Sequence, residues 1–145
     1  PQCTCWLKGC LEAVASATAM ARAAREVVAA GRSPAMARLA SEQGGRLDAR
    51  VVITAARGGD PEAQQILRKA GEYLGLVSAM LVSALNPELI VIGGGASHGG
   101  EFLMEPMRQM IARHAMPGPA SVVKVVQASL GNDAGLIGAA TLVWR

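Results

Sequence analysis

Aromatic residues and long apolar runs are both scarce in this chain of 145 residues. Phe, Trp and Tyr make up only 3% of it, so Ala, Val, Leu, Ile and Met must build the core, which suits helices packed closely on one another or on a sheet. The most apolar stretch, Tyr73 to Leu85, is far shorter than the ~20 residues that cross a bilayer. The N-terminus also lacks the charged-then-apolar pattern of a secretory signal. These absences favour a cytoplasmic protein that makes no membrane contact.

Clusters of one charge sign are also missing. The formal net charge is +3, and the 14 basic residues are scattered rather than grouped with aromatic residues. Chains that bind nucleic acid directly usually concentrate such residues. We therefore expect no DNA contact from these residues, and one domain over residues 1–145.

Cysteine is rare, yet all of it lies in one place. Cys3, Cys5 and Cys10 follow the spacing C-x-C-x₄-C, and an odd number of thiols argues against a disulfide framework. Three thiolates so close together can bind one Zn²⁺, which takes four tetrahedral ligands. The alternative is three ordinary buried thiols. His98 or His114 is a candidate fourth ligand or simply a surface residue, and no histidine lies near enough in sequence to make a thiol nucleophile.

Glu12 follows the last cysteine by two residues, at the start of a predicted helix. Its carboxylate either complements the positive end of the helix dipole or accepts hydrogen bonds from the hydroxyls of a sugar-like ligand. The residue pattern alone leaves both roles open.

Helical patterns cover most of the chain. The strongest begins at Asp60-Pro61, an N-cap followed by a first-turn proline, and ends before Asn86-Pro87. Within it Gly71 and Gly75 should each cost ~1 kcal/mol, so we expect a neighbour's backbone to approach them closely. The other predicted helices are Leu11 to Ala30, with Arg22 and Arg25 on its solvated face, Ser33 to about Gln43, Asp48 to Arg57, Phe102 to His114, and Ala134 to about Trp144.

Two short apolar segments predict strands. Glu88 to Ile92 should be buried on both faces and leads into Gly93, Gly94 and Gly95. Ser121 to Ala128 predicts the second strand, after a turn at Pro117 to Pro119. The glycine run either brings backbone N–H groups close to a phosphate or ribose, or only makes a tight turn. The small residues of segment 131–140 likewise allow close packing on a strand or on a nucleotide.

Helices alternating with strands predict an α/β fold. Two strands are too few for an independent sheet, so we expect others from a preceding segment or a partner chain. A partner would use the apolar stripe from Ile66 to Leu85, and we predict a homo-oligomer.

Three segments resemble the ROK family of repressors and sugar kinases. They are Cys3-Thr4-Cys5 with Gly9-Cys10-Leu11-Glu12 and Ala15-Ser16, then the run from Asn86 through Ile92 to Gly95, and lastly Leu130 to Ala140. This chain matches the family pattern CxCGxxGCxE except that Trp6 stands where the family usually has the glycine after the second cysteine. Ala17 likewise replaces a glycine that often follows the alanine-serine pair.

The resemblance implies the C-terminal, ribonuclease-H-like lobe of an actin/hexokinase-like ATPase. It implies that Cys3, Cys5 and Cys10 bind structural Zn²⁺, that Glu12 contacts the sugar, and that Gly93, Gly94 and Gly95 lie near the adenosine of ATP, which acts with Mg²⁺. The family's fourth zinc ligand, phosphate-binding strand and catalytic base would all precede Pro1. We therefore expect no kinase activity from this chain alone.

Two parent proteins fit this resemblance. One is a kinase that phosphorylates a hexose or an N-acetylhexosamine. The other is a sugar-responsive transcriptional repressor whose DNA-binding helices would lie in an absent upstream domain. A stand-alone zinc-stapled module is a third reading. The absence of a glucokinase-type Trp-Glu-Gln-Tyr segment after Cys10 tilts slightly toward repressors or unassigned members of the family. The kinase nevertheless remains the favoured prediction.

Overall fold

The part of the chain that the structure describes contains eight α-helices and two β-strands. The structure, a computed structural model, describes residues 1–143, with Asn132 described by its backbone alone. The predicted helix end at Trp144 lies outside these residues. The elements are α1 Leu11–Ala15, α2 Ala17–Ala29, α3 Pro34–Glu42, α4 Ala49–Arg57, α5 Pro61–Leu85, β1 Leu89–Ile92, α6 Glu101–His114, α7 Pro117–Val122, β2 Lys124–Gln127 and α8 Ala134–Val143, with 3₁₀ turns at Gly95–Gly99 and Gly131–Asp133.

Side-chain caps fix where α3, α4 and α5 begin. Ser33, Asp48 and Asp60 each accept a hydrogen bond from a backbone N–H in the first turn of their helix. The second carboxylate oxygen of Asp60 also accepts from the Ser33 hydroxyl at 2.7 Å. Because Ser33 is buried, this bond ties the start of α3 to the start of α5.

The predicted helix from Leu11 to Ala30 is in fact two helices. Ser16 has extended backbone (φ −79°, ψ 167°), and its hydroxyl accepts from the N–H of Ala19 at 3.1 Å, so it caps α2. Serine competes well for this role because its short side chain reaches the first-turn donors. Arg22 is half-buried rather than on a solvated face, since its guanidinium donates to the Ala13 carbonyl at 2.6 Å.

Helices α5 and α6 pack closely, as the two α5 glycines predict. A Cβ atom built on Gly75 would lie 2.5 Å from the Met107 carbonyl oxygen and 2.6 Å from the Met110 Cβ. A Cβ on Gly71 would lie 3.1 Å from the Leu103 carbonyl carbon and nearer still to its oxygen. The expected close backbone approach is therefore confirmed.

The two strands form a parallel sheet in which Leu89 pairs with Lys124 and Ile92 with Gln127. Ile90 and Ile92 pack on the cluster formed by α5 and α6. The prediction that β1 is buried on both faces is wrong for the described residues, because Leu89 and Val91 are 51% and 54% exposed. Among those residues β1 pairs with one strand only, and its second face is not covered.

The second strand is shorter than predicted. It begins at Lys124 rather than Ser121, because the chain from Pro117 to Val122 forms α7 where a turn was expected. Pro117 takes the first helical position, where its fixed φ and missing N–H are tolerated.

The main core lies among α1 to α5 and also includes Leu103 of α6. A smaller cluster joins α5 and α6 to the sheet. The apolar stripe from Ile66 to Leu85, which the sequence predicts to be an oligomer interface, is partly core and partly surface. Ile66, Ala70 and Val82 are buried within the chain, whereas Met80 and Leu85 are 62% and 71% exposed. Across residues 1–143, no helix combines the length and apolar character that crossing a bilayer needs.

Candidate functional site

The three cysteines lie on a small hairpin that precedes α1. Gln2 and Lys8 pair as an antiparallel bridge, and the N–H of Cys3 donates to the Leu7 carbonyl at 2.8 Å. Trp6 turns the chain at φ +67°, in the left-handed region that favours glycine. That is the position at which the sequence departs from the family's CxCG pattern. The hairpin therefore keeps the glycine-type turn although a tryptophan occupies it.

The sulfur atoms of Cys3, Cys5 and Cys10 all lie within 4.8 Å of one another. The Cys5 and Cys10 sulfurs are 3.4 Å apart. Tetrahedral zinc with Zn–S bonds of ~2.3 Å places two sulfurs about 3.8 Å apart. Small side-chain rotations therefore bring the three sulfurs to the spacing that one Zn²⁺ requires. The residues fit the metal, and the reading as three ordinary buried thiols is not supported, since Cys5 is exposed and the others are half-buried.

Crowding separates the acidities of these thiols. Hydrogen bonds from the backbone N–H and thiol of Cys5 lower the pKa of Cys3 to about 7. The hydrogen bond with the Cys5 thiol raises the pKa of Cys10 to about 11, and desolvation and the neighbouring Cys3 and Cys5 sulfurs act in the same direction. In the metal-free triad, loss of one thiol proton is favoured and loss of further protons is opposed. A bound cation would favour the deprotonated form of all three thiols.

Neither histidine joins the cysteines. Within residues 1–143 the sole group of ligand side chains close enough for one metal is the cysteine triad. The ring of His98 instead lies 3.2 Å from the Gly95 carbonyl, and its own carbonyl accepts from Arg57 at 2.8 Å. The structure therefore supports neither His98 nor His114 as the fourth ligand.

Glu12 lies in the first turn of α1 and is exposed. It borders a cavity of about 100 Å³ that Ser16, Thr18 and Arg22 also line, together with Cys3 and Thr4 of the hairpin. One carboxylate, three hydroxyls and one guanidinium give this small cavity both hydrogen-bond donors and acceptors. Such a set suits a polyhydroxylated ligand.

Arg22 is the residue that sequence reasoning misplaced. Its bond to the Ala13 carbonyl satisfies a group that loses its helical partner when α1 stops at Ser16. The signal for it was the serine in Ala15-Ser16, which is a typical N-cap and so predicts a helix break there.

Gly93, Gly94 and Gly95 are exposed and lie at the carboxyl end of β1. Gly94 has φ +80°, and its carbonyl accepts from the buried hydroxyl of Ser97 at 2.8 Å. Gly131, at φ +53°, follows β2 at the same edge of the parallel sheet. Ligands of open α/β sheets bind at this edge. These glycines do not line the cavity beside Glu12, so the structure places them as a second, separate element.

Known proteins are similar to this chain over nearly its whole length. The sequence model of the ROK family matches residues 1–145. A glucokinase of Halalkalibacterium halodurans is 43% identical over 141 residues, which span 97% of this chain and 42% of that protein. The solved ROK family glucokinase of Streptomyces griseus, in complex with glucose and AMPPNP, is 34% identical with a TM-score of 0.78 over 95% of this chain and 45% of its own.

A regulator is similar as well. The crystal structure of a ROK family transcriptional regulator, a homologue of the Escherichia coli Mlc protein, is 29% identical with a TM-score of 0.77. It is matched over 88% of this chain and 31% of its own. The chain spans less than half the length of the curated relatives it matches. The likeness to solved ROK structures confirms the predicted fold class, a partial actin/hexokinase-like lobe rich in helices and poor in strands.

Proposed function

The chain belongs to the ROK family, and we propose that it is the C-terminal lobe of an ATP-dependent kinase for a hexose or an N-acetylhexosamine. Relatives described as glucokinases and N-acetylmannosamine kinases support this substrate class. In this proposal the lobe supplies a zinc-binding hairpin, a sugar-binding carboxylate and part of the ATP site, in a cytoplasmic protein.

The observation that carries the proposal is that Glu12 lines the small polar cavity together with Cys3 of the cysteine triad. Cys10 immediately precedes α1, so a cation held by the three thiolates fixes the start of that helix. Glu12 is two residues further on, and its carboxylate then accepts hydrogen bonds from sugar hydroxyls in the cavity that Thr18 and Arg22 also line.

The turn of Gly93, Gly94 and Gly95 is the proposed contact for the adenosine of ATP. With no Cβ atoms, these residues let the nucleotide approach the backbone at the carboxyl end of β1. In the complete protein Mg²⁺ would bind the ATP phosphates. Phosphoryl transfer also needs a base to orient the attacking hydroxyl, and we assign none in this chain. The isolated chain should therefore produce no ADP from ATP and glucose in a coupled assay, and sugar-dependent ADP release would contradict this division of roles.

Zinc binding is tested on the chain itself. We expect close to one Zn²⁺ per chain after dialysis against trace zinc, measured by elemental analysis, and a lower melting temperature after removal by a chelator. Cys5→Ser should lose the metal, whereas the matched control Ser41→Ala, an exposed hydroxyl on α3, should keep it. Full loss of zinc without any change in melting temperature would show that the metal is not structural.

The sugar role of Glu12 is tested in the complete protein that contains this chain. A hydrogen bond to a charged group contributes about 1.5–3 kcal/mol, so Glu12→Gln should lower kcat/KM for the sugar by about tenfold to a hundredfold. KM for ATP should stay unchanged. The control Glu42→Gln removes an exposed carboxylate at the end of α3, away from the cavity, and should have no effect.

The second candidate is the sugar-sensing and dimerisation domain of a transcriptional repressor. The likeness to the solved ROK regulator favours it specifically. Coding DNA on the 5′ side of the Pro1 codon separates the two: a helix-turn-helix supports the repressor, and phosphate-binding and catalytic motifs without one support the kinase. Light scattering tests the proposed homo-oligomer in either case, since a monomer at assay concentrations would contradict it.

A further inference from the structure

The spacing of the three sulfurs is uneven, and this singles out one pair. Cys5 and Cys10 have their sulfurs 3.4 Å apart, in direct contact. Cys3 instead has its sulfur 3.9 Å from the Thr4 hydroxyl, and its backbone is held at both ends, since its N–H donates to Leu7 and its carbonyl accepts from Trp6. We propose that Cys5 and Cys10 form a reversible disulfide when the metal-free hairpin meets a hydroperoxide, while Cys3 remains a free thiol.

The backbone between the paired residues permits the closure. A disulfide needs the sulfurs at ~2.05 Å, so they must approach by about 1.4 Å. The connecting residues include two left-handed positions, Trp6 at φ +67° and Gly9 at φ +79°, and a Cβ on Gly9 would meet nothing within 4 Å. Access decides which thiol reacts first: Cys5 is exposed and open to the oxidant, whereas Cys3, although the pKa of its thiol is lowered, is half-buried. Pairing Cys3 with Cys5 is disfavoured because a single residue separates them.

The reaction balances with the hydroperoxide as the only co-reactant. The Cys5 sulfur attacks the peroxide, an S–O bond forms, the O–O bond breaks, and the thiol proton leaves with the alcohol or water produced. The Cys10 sulfur then attacks the Cys5 sulfenic acid, an S–S bond forms, and the S–O bond breaks with loss of water. Two thiols are oxidised, one peroxide is reduced, and a dithiol reductant reverses the pairing.

The pairing and metal binding exclude each other. A disulfide removes two of the three thiolates of the triad, and the remaining thiol of Cys3 cannot hold a zinc ion. Oxidation would therefore release the metal and shift Cys10, the residue that precedes α1. This inference concerns the chain's own thiols and does not depend on which sugar, or which parent protein, the lobe serves.

Trypsin reads out the pairing directly. Lys8 lies between the paired residues, so cleavage yields the peptides 1–8, which holds Cys3 and Cys5, and 9–22, which holds Cys10. We expect equimolar hydrogen peroxide to remove two of three reactive thiols from the metal-free chain and to lower its mass by about 2 Da. The two peptides should then be linked, and dithiothreitol should separate them.

Two variants identify the partners. Cys3→Ser should keep the linked peptides at the wild-type yield, and Cys10→Ser should lose them and accumulate a sulfenic acid that dimedone traps on Cys5. A disulfide confined to peptide 1–8, linkage that needs Cys3, cross-links between chains, or direct oxidation to sulfinic acid would each overturn the proposal.

The metal supplies an independent readout. In the zinc-loaded chain we expect slower thiol loss, with one zinc released to a chromogenic chelator for each disulfide formed. If the wild-type chain binds no zinc, the proposed metal site fails, while the peptide map still decides the disulfide. Zinc retained after complete pairing of Cys5 with Cys10 would overturn the claim that the two states exclude each other.

Discussion

The close packing of α5 on α6 allows a sharp test of why two glycines occupy a helix interior. Gly75→Ala adds one methyl group where the Met107 carbonyl oxygen would lie 2.5 Å and the Met110 Cβ 2.6 Å away. Gly71→Ala meets the Leu103 carbonyl group and the Pro106 Cβ in the same way. Because most of these obstacles are backbone or Cβ atoms, rotation of a side chain cannot remove them.

Two opposing terms set the magnitude. Alanine is about 1 kcal/mol better than glycine in a helix interior, which favours the variant. Against this, normal contact needs about 3.5 Å, so α5 and α6 must separate by about 1 Å, and overpacking of this kind costs about 1–3 kcal/mol or more. With rigid obstacles the upper part of that range applies. We therefore expect Gly75→Ala to lower the free energy of unfolding by about 2 kcal/mol, or the melting temperature by roughly 4–8 °C.

The matched control is Gly138→Ala in α8. A Cβ there meets nothing within 4 Å, so only the helix preference changes. Its effect should lie between zero and a gain of about 1 kcal/mol. Urea denaturation followed by circular dichroism compares the three single variants and the double variant Gly71→Ala/Gly75→Ala. The double variant should lose less than the sum of its parts, because one separation of the helices makes room for both methyl groups.

A single result would refute this reasoning. If Gly75→Ala matched Gly138→Ala in stability, α5 and α6 would not be in backbone contact. The glycines would then be ordinary helix weaknesses, and the packing that places the sheet on α5 would need another explanation.

Three further perturbations follow from single side chains. Asp60→Ala should lower the free energy of unfolding, measured in urea titrations, by about 2 kcal/mol. It removes the side-chain cap of α5 and leaves the buried Ser33 hydroxyl without an acceptor. Asp60→Asn should cost less stability. Trp6→Gly should tighten zinc binding by up to about fivefold in competition with a chromogenic chelator, because it removes a left-handed non-glycine residue that costs about 1 kcal/mol. Arg108 lowers the pKa of Glu101 below 4.5, so this pair stabilises the folded chain above that pH and loses its effect as the pH falls through the lowered pKa. Because Glu101 is largely exposed, Glu101→Gln should reduce that acid-side slope of stability only slightly.

The helix ends were predictable where a side chain closes the local hydrogen bonds. Ser33, Asp48 and Asp60 each reach a first-turn N–H, and these bonds need no distant partner. The same local logic also applies at Ser16, but the alanine-rich pattern on both sides concealed the break. A continuous helical pattern therefore predicts helix content more reliably than helix number.

The features that sequence did not predict depend on distant contacts. The apolar run of residues 88–92 predicts a strand buried on both faces. Such a run shows that the side chains are apolar, but not whether a helix or strand covers each face in the described chain. Arg22 looked solvated because its partner, the Ala13 carbonyl, becomes available only when α1 ends. The cysteine spacing, by contrast, predicted the gathering of sulfurs within 4.8 Å, since eight residues leave few other arrangements.

The hairpin and α1 together explain why a metal would serve this lobe structurally. Trp6 and Leu7 at the hairpin tip are 84% and 66% exposed, so burial contributes little to holding it. Helix α1 has only five residues, far below the ~12–15 at which an isolated helix is even marginal in water. Its C-terminal end is held because Arg22 binds the Ala13 carbonyl, whereas Cys10 at its N-terminal end makes no side-chain cap bond. A cation on Cys10 would supply the missing restraint at the N-terminal end of α1. The backbone of Glu12, which lies between Cys10 and Ala13, would then be held on both sides.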